Sequence, residues 1–250
     1  MRKSTDSPGL VIRGARLAYL GQPLFDGLDL DLPGGTWTCL LGPSGVGKTS
    51  LLRFIAGLAP PGATGSVALT DGSAIAGQAA YMAQQDLLLP WLSATGNATL
   101  GARLRGVRPD DGAARQLLAR LGLGGHEDAL PATLSGGMRQ RVALARTLLE
   151  DRPICLLDEP FSTLDAITRF RLQAEAATAL AGRTVLLITH DPLEALRLGH
   201  TVLVLAGRPA RISARLAPAG PPPRDMSDPV LIGLQARLLD ELAAATGTIP

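Results

Sequence analysis

The chain has 250 residues, 46% of them apolar and 18% charged, with 24 Lys and Arg against 22 Asp and Glu. That length and apolar content suit one large α/β domain with room for an inserted subdomain. A formal charge of +2 gives no basic face for nucleic acid, and no apolar run is long enough to span a bilayer, so any work at a membrane needs separate spanning subunits.

The first ten residues, MRKSTDSPGL, begin basic but carry no apolar stretch behind the charges, which argues against a secretory leader. Residues 10–41 alternate apolar and polar positions between Gly and Pro breakers, in LVIRGARLAYL, LFDGLDLDL and TWTCLL, the period of half-buried antiparallel strands. TWTCLL leads into Gly42, Pro43, Ser44, Gly45, Val46, Gly47, Lys48, Thr49 and Ser50. This is the G-x-x-x-x-G-K-[ST] phosphate loop: the glycines allow a tight turn that aims backbone N–H groups at phosphate oxygens, and Lys48 is a point charge for the terminal phosphates. The Thr49 hydroxyl suits Mg²⁺, and a helix over about Gly47–Gly57 adds its positive end. A nucleoside triphosphate with Mg²⁺ is the implied ligand.

SVALT and QAAYMA read as short strands, after which residues 85–150 take helical periodicity in ATGNATLGARLRG, in DDGAARQLLARLG and beyond Ser135. This segment reads as an inserted helical subdomain. PICLLD, a helix over about Asp165–Ala181, TVLLITH, a short helix after Asp191 and TVLVLAG then alternate as a buried parallel sheet with crossover helices. Cys39 and Cys155 lie in such apolar runs, where a thiol acts as a small hydrophobe, and a reducing compartment fits. Pro218 to Pro223 reads as a stiff surface linker to a last helix with Asp228 as N-cap and Pro229 in the first turn. Its stripe of Val230, Leu231, Leu234, Leu238, Leu239 and Leu242 is expected to pack on the core. The division is a nucleotide-binding core at 1–84 and 151–217, a helical subdomain at 85–150, and a linker with a C-terminal helix at 218–250.

Asp158 ends ICLLD, where a carboxylate reaches the Mg²⁺ shell in phosphate-loop enzymes, and Glu159 follows it, placed to orient a water and accept its proton. Residues 134–146 read LSGGMRQRVALAR, a Ser and two Gly opening a helix. The order of phosphate loop, this segment and ICLLDEP resembles the ATP-binding subunits of ABC transporters across almost the whole chain. The resemblance implies an α/β fold with a RecA-like P-loop NTPase core, an antiparallel β subdomain and an inserted α-helical subdomain. It implies an ATPase that uses ATP and Mg²⁺ with Glu159 as base, His190 as the switch histidine on the γ-phosphate, and Gln84 as the Q-loop glutamine beside Mg²⁺ or the attacking water. It places an adenine-stacking aromatic at Tyr19, for which cross-strand packing is the alternative. Ser135, Gly136 and Gly137 would close over the phosphate loop of a second copy, with Asp165 at that interface, although Asp165 also suits a plain N-cap. His126 and His200 read as surface or packing residues.

The implied partners are a second ATPase subunit, transmembrane permease subunits docked near Gln84–Trp91 and, through them, a solute-binding protein, with the ATPase on the cytoplasmic face of the bacterial inner membrane. Met138 in the signature and Pro90-Trp91 resemble the importer group for nitrate, sulfonate, taurine and pyrimidine precursors. Within it, MAQQDLLLPWL and LGARLRG look most like the ATPase for a hydroxymethylpyrimidine thiamine precursor, with sulfonate, taurine or nitrate as the alternative cargo. An exporter, a lipoprotein-release ATPase or a soluble ABC ATPase is the more distant reading.

Overall fold

The computed structural model describes residues 7–246, so the basic start of the chain, on which the expectation of no leader rests, lies largely outside the described residues. In chain order the elements are β1 (Leu10–Tyr19), β2 (Gln22–Leu32), β3 (Trp37–Leu41), α1 (Lys48–Ile55), β4 (Thr64–Leu69) and β5 (Ala79–Met82). Then come α2 (Ala94–Ala98), α3 (Leu100–Leu104), α4 (Asp111–Leu118), α5 (Gly136–Leu148), β6 (Ile154–Asp158) and α6 (Ala166–Ala179). The chain ends with β7 (Thr184–Ile188), α7 (Pro192–Leu198), β8 (Thr201–Ala206), β9 (Arg211–Leu216) and α8 (Pro229–Thr246). No helix among the described residues is long and apolar enough to cross a membrane. The chain forms two compact units.

The first unit takes the residues up to Ala79, Pro153–Asp158, and those from Ala181 onward. One of its sheets is antiparallel in the order β2-β1-β4, with Leu10 opposite both Leu32 and Leu69. Leu10, Ile12, Leu17, Phe25 and Leu30 point inward while Arg13 pairs with Asp31 outside, so the alternation in the sequence is the alternation of faces. The other sheet runs β6-β7-β3-β8-β9, parallel except for β9. TWTCLL departs from the expectation. Instead of a half-buried antiparallel strand, β3 is buried at every residue and parallel to both β7 and β8, with α7 packed on it. A strand flanked on both edges and covered on its faces has no solvent side, and its sequence loses the period of two.

Leu40 and Asp158 both pair with Ile188, so β3, β6 and β7 end at one edge of the sheet. The carboxyl edge of a parallel sheet is where such folds bind ligands. It carries the phosphate loop after Leu41, the carboxylate of Asp158 and, two residues past the end of β7, His190, which stands beyond the strand rather than closing it.

Two features of the C-terminal part escape the sequence pattern. RISARL forms an antiparallel edge strand, β9, whose modest alternation with arginines gives a weak strand signal. The Pro-rich segment is no simple surface linker: Pro218 is buried, and Arg224, 7% exposed, donates to the carbonyls of Ala219 (2.7 Å), Leu196 (2.9 Å), Gly199 (2.8 Å) and Pro218 (2.9 Å). This arginine ties the segment to the C-terminus of α7, where carbonyls lack helical partners. Asp228 accepts from Val230 N–H at 2.9 Å at the start of α8. The helix buries Leu231, Leu238 and Ala245, but Val230 and Leu239 of the expected stripe face solvent.

The second unit takes Ala80–Arg152 and Glu159–Leu180. The sequence division left Glu159–Leu180 with the core, whereas α6 groups with the helical segment, where Gly122 lies against Arg171. In this unit α5 packs on α2 and α4; Val142, Ala143, Leu144 and Ala145 are buried along it, and Leu117, Leu118 and Leu121 are buried in the same unit. Ser93, Asp110, Ser135 and Asp165 each accept a backbone N–H at a helix start, which fixes where α2, α4, α5 and α6 begin.

Candidate nucleotide-binding site

In the first unit the phosphate loop leaves β3 at Gly42, whose φ of +153° brings its Cα so near β8 that a Cβ would lie 2.3 Å from Leu205 O. Gly47, at φ +112°, is the N-cap of α1, and a Cβ there would meet Phe25 and Leu24 of β2 at 2.9–3.0 Å. The turn is therefore restricted to glycine at both ends by space as well as by dihedral. The Lys48 ammonium, 9% exposed, donates to Gly42 O (2.8 Å) and Pro43 O (3.0 Å), which holds the cation across the loop. Thr49 and Ser50 are half-buried in the first turn of α1, and Val46 is fully buried beneath the loop.

Tyr19 is half exposed and lines an open pocket of about 230 Å³ with Gln22, Pro23, Leu24, Gly45 and Arg208. The phosphate loop and the aromatic thus border one space, while Tyr19 also stands opposite Gln22 across β1 and β2. Asp158 is 1% exposed at the end of β6. His190 is exposed, and its neighbour Asp191 accepts from Leu193 N–H (2.9 Å) and Glu194 N–H (3.4 Å) to start α7. His200, by contrast, accepts from Trp37 N–H through Nδ1 at 3.0 Å, and burial together with the Arg224 charge lowers its pKa: it is a packing histidine, as expected. Burial pushes the Cys39 thiol up and the Cys155 thiol to about 12, so neither is a nucleophile at neutral pH.

In the second unit the amide of Gln84 donates to Glu159 Oε2 at 3.5 Å, so two residues 75 positions apart, each singled out from sequence, face one another. Glu159 sits at φ +49°, unusual for a residue with a Cβ, and its carbonyl is held by the N–H (3.4 Å) and hydroxyl (3.1 Å) of Ser162. Left-handed backbone at a non-glycine costs on the order of 1 kcal/mol and persists where a side chain must be aimed. Ser135 and Gly136 are exposed at the start of α5, with Ser135 Oγ accepting from Met138 N–H at 3.3 Å. A Cβ at Gly137 would lie 3.4 Å from Leu164 Cδ2, which sets the signature turn directly against the turn before Asp165. Asp165 accepts from Thr168 N–H at 3.0 Å, and that bond lowers its pKa.

Three residues that the sequence reading passed over brace the Gln84–Trp91 loop. Arg139 Nε donates to Asp86 Oδ2 at 3.0 Å, and Arg146 donates to Asp86 O (2.7 Å) and Leu87 O (2.9 Å). Asn97, fully buried, accepts from Leu89 N–H (2.8 Å) and donates to Leu89 O (3.1 Å), Leu92 O (2.9 Å) and Ser93 O (3.1 Å). The seven-residue spacing of the two arginines, two turns along one face of α5, was the available signal. Trp91 stands 71% exposed on the loop so held.

Among the described residues no group of three or more His, Cys, Asp or Glu could hold a metal by itself. In the first unit Thr49, half-buried at the start of α1, and Asp158, 1% exposed at the end of β6, are oxygen donors of the kind that Mg²⁺ takes in small number alongside substrate phosphates.

A phosphate loop at the carboxyl edge of a parallel sheet, followed in the chain by a carboxylate pair, defines a phosphate-loop NTPase. The ABC transporter family model matches residues 25–162, and the chain belongs to that family, with the ABC cassette fold and the ATPase activity of its ATP-binding subunits. It is 44% identical over 238 residues to an aliphatic sulfonates import ATP-binding protein, SsuB 2, of Burkholderia cenocepacia, covering 93% of this chain and 87% of the relative. It is 42% identical to SsuB 1 of Rhodococcus jostii, covering 98% of each, and 42% identical to an uncharacterized ABC transporter ATP-binding protein of Haemophilus influenzae. Among solved structures it is similar to the dimeric post-hydrolysis state of the cassette MJ0796 bound to ADP and Pi, with a TM-score of 0.74, 26% identity and coverage of 84% of this chain and 99% of that one.

Proposed function

We propose that this chain is the ATP-hydrolysing subunit of a binding-protein-dependent importer whose cargo is an aliphatic sulfonate. The observation that carries the ATPase reading is the loop of Gly42 to Ser50 at the sheet edge, with Lys48 held across it. The cargo rests on the names of the relatives, which favour sulfonate over the hydroxymethylpyrimidine precursor that the Gln84–Trp91 segment suggested.

In this reading the backbone N–H groups from Gly42 to Ser50 and the Lys48 ammonium hold the phosphates, and Tyr19 stacks on the base. Mg²⁺ neutralises phosphate charge when bound, with Thr49, Asp158 and Gln84 as the oxygen donors this chain offers. Glu159 orients a water and takes its proton as the water oxygen bonds to the γ-phosphorus and the bond to ADP breaks; Gln84 steadies the carboxylate, and His190 hydrogen-bonds the γ-phosphate. Ser135, Gly136 and Gly137 offer a hydroxyl and backbone donors to the nucleotide on a second copy, with Asp165 at that two-fold interface. The homodimer sits peripherally at the cytoplasmic face of the membrane, and Trp91 with its neighbours receives a cytoplasmic helix of the permease. Cargo is selected by the permease and the solute-binding protein.

The test is reconstitution of the ATPase with its cognate permease and binding protein. Glu159→Gln is expected to bind ATP and lose turnover, because the amide keeps the size and removes the proton acceptor. Turnover near that of the parent protein would remove Glu159 as base. An alkanesulfonate is expected to bind the binding protein and stimulate ATP hydrolysis; a hydroxymethylpyrimidine doing so instead would overturn the cargo and leave the ATPase reading standing.

A further inference from the structure

We infer that Arg208 is a nucleotide-binding residue, placed to engage the ribose and α-phosphate between the base site at Tyr19 and the phosphate loop at Gly45. The inference rests on the reading of that pocket as the nucleotide site. Arg208 lies in the turn between β8 and β9, and that turn is fastened to β2 by Ala210 N–H donating to Leu24 O at 2.7 Å. The guanidinium is exposed, lines the same open pocket as Tyr19, Gln22, Pro23, Leu24 and Gly45, and makes no ion pair among the described residues. Its Nη2 stands 3.9 Å from where a Cβ on Gly45 would be, close to the loop.

The chemistry of a nucleoside phosphate decides what this position reads. Base and terminal phosphates are joined through ribose and α-phosphate, so a pocket with an aromatic on one border and a phosphate loop on another holds that junction between them. An arginine bordering both supplies planar donors and a permanent charge to the α-phosphate, while Lys48 is the charge for the terminal phosphates farther along the loop. Gly45 has no side chain to stand between the guanidinium and a phosphate on the loop. The exposure of Arg208 limits the gain through solvent screening.

The experiment is calorimetric titration of the full chain with Mg-ADP, for the parent protein, Arg208→Ala, Arg208→Lys and Lys48→Ala, at low and high salt. Arg208→Ala is expected to raise the dissociation constant about tenfold at low salt and less at high salt, with Arg208→Lys recovering part of the loss. In hydrolysis assays the loss should fall on KM rather than on kcat. Thermal melting without nucleotide should be unchanged, and the shift produced by ADP should shrink. An unchanged ADP affinity in Arg208→Ala, with binding lost in Lys48→Ala, overturns the role of Arg208 and leaves the phosphate loop in place. An effect equal at both salt concentrations and not relieved by lysine also overturns it, since a packing role alone would give that result. If Lys48→Ala and Arg208→Ala both bind ADP as the parent does, the nucleotide site itself is misplaced and the inference falls with it.

Discussion

Asn97 gives the most direct test of how the Gln84–Trp91 loop is held, because its side chain is fully buried and reaches four backbone groups, accepting one N–H and sharing its two amide hydrogens among three carbonyls. Replacing it by alanine does not orphan all four partners. Leu89 O keeps Leu92 N–H at 3.1 Å, and Ser93 O keeps Asn97 N–H at 2.8 Å. Leu89 N–H and Leu92 O lose the bonds to Asn97 and gain no replacement side chain. At about 1–3 kcal/mol for a buried group left unsatisfied, and with Leu89 and Leu92 half-buried, the expected loss is roughly 2–4 kcal/mol, a large part of a typical stability of about 5–15 kcal/mol. Urea unfolding monitored by circular dichroism measures that loss, and native-state hydrogen exchange at the Leu89 amide reads the specific bond. Asn97→Asp should be at least as damaging at neutral pH: it keeps the acceptor for Leu89 N–H but turns a carboxylate toward the carbonyls of Leu89, Leu92 and Ser93, and acid should relieve part of the damage. Stability within 1 kcal/mol of the parent, together with unaltered protection at Leu89, would refute the bracing role.

Arg224→Met keeps an apolar stem but removes the donors to Leu196, Gly199, Pro218 and Ala219; a loss of about 3–5 kcal/mol is expected by chemical denaturation, and an unchanged midpoint would mean that water serves those carbonyls equally well. His200, lowered in pKa by burial, is neutral in the fold; its contribution is complete above the ordinary histidine value of about 6.5 and declines as pH falls through the lowered value. His200→Asn should flatten stability against pH in that window, while Asp165, Asp31 and Asp225, lowered by their hydrogen bonds, contribute a separate decline in stronger acid. Trp91→Glu at a site 71% exposed should move stability by no more than about 0.5 kcal/mol yet uncouple ATPase stimulation from the permease; normal transport by that variant would place the docking surface elsewhere.

Motifs whose chemistry depends on contiguous residues were legible in the sequence. The phosphate loop needs its glycines at fixed offsets, and the structure gives the reason in the 2.3 Å that would separate a Gly42 Cβ from Leu205 O. The N-caps at Ser135, Asp165 and Asp228 were readable because a cap acts over two or three residues. What stayed hidden depends on distant partners. The pairing of β3 between β7 and β8 removes its solvent face, which no local period announces. Arg224 resembles any arginine in a polar stretch until four carbonyls converge on it, and Arg208 is separated from Tyr19 by nearly the whole chain.

The bracing of the second unit carries a mechanical consequence. Helix α5 is capped by Ser135, the residue proposed to touch a partner's nucleotide, and two of its arginines hold the loop that begins at Gln84 and displays Trp91. Arg139 also donates to Leu134 O at 2.8 Å, so one guanidinium spans the signature turn and the Asp86 carboxylate. A packed helix moves as a body more readily than it deforms, so displacement of the signature end is passed to Asp86 and Leu87 through bonds anchored on the same helix. Arg139→Lys retains the charge but has no fork to bridge both acceptors, and should lower the coupling of hydrolysis to transport more than it lowers nucleotide affinity. If transport and hydrolysis fall in the same proportion in that variant, the two ends are not joined through α5.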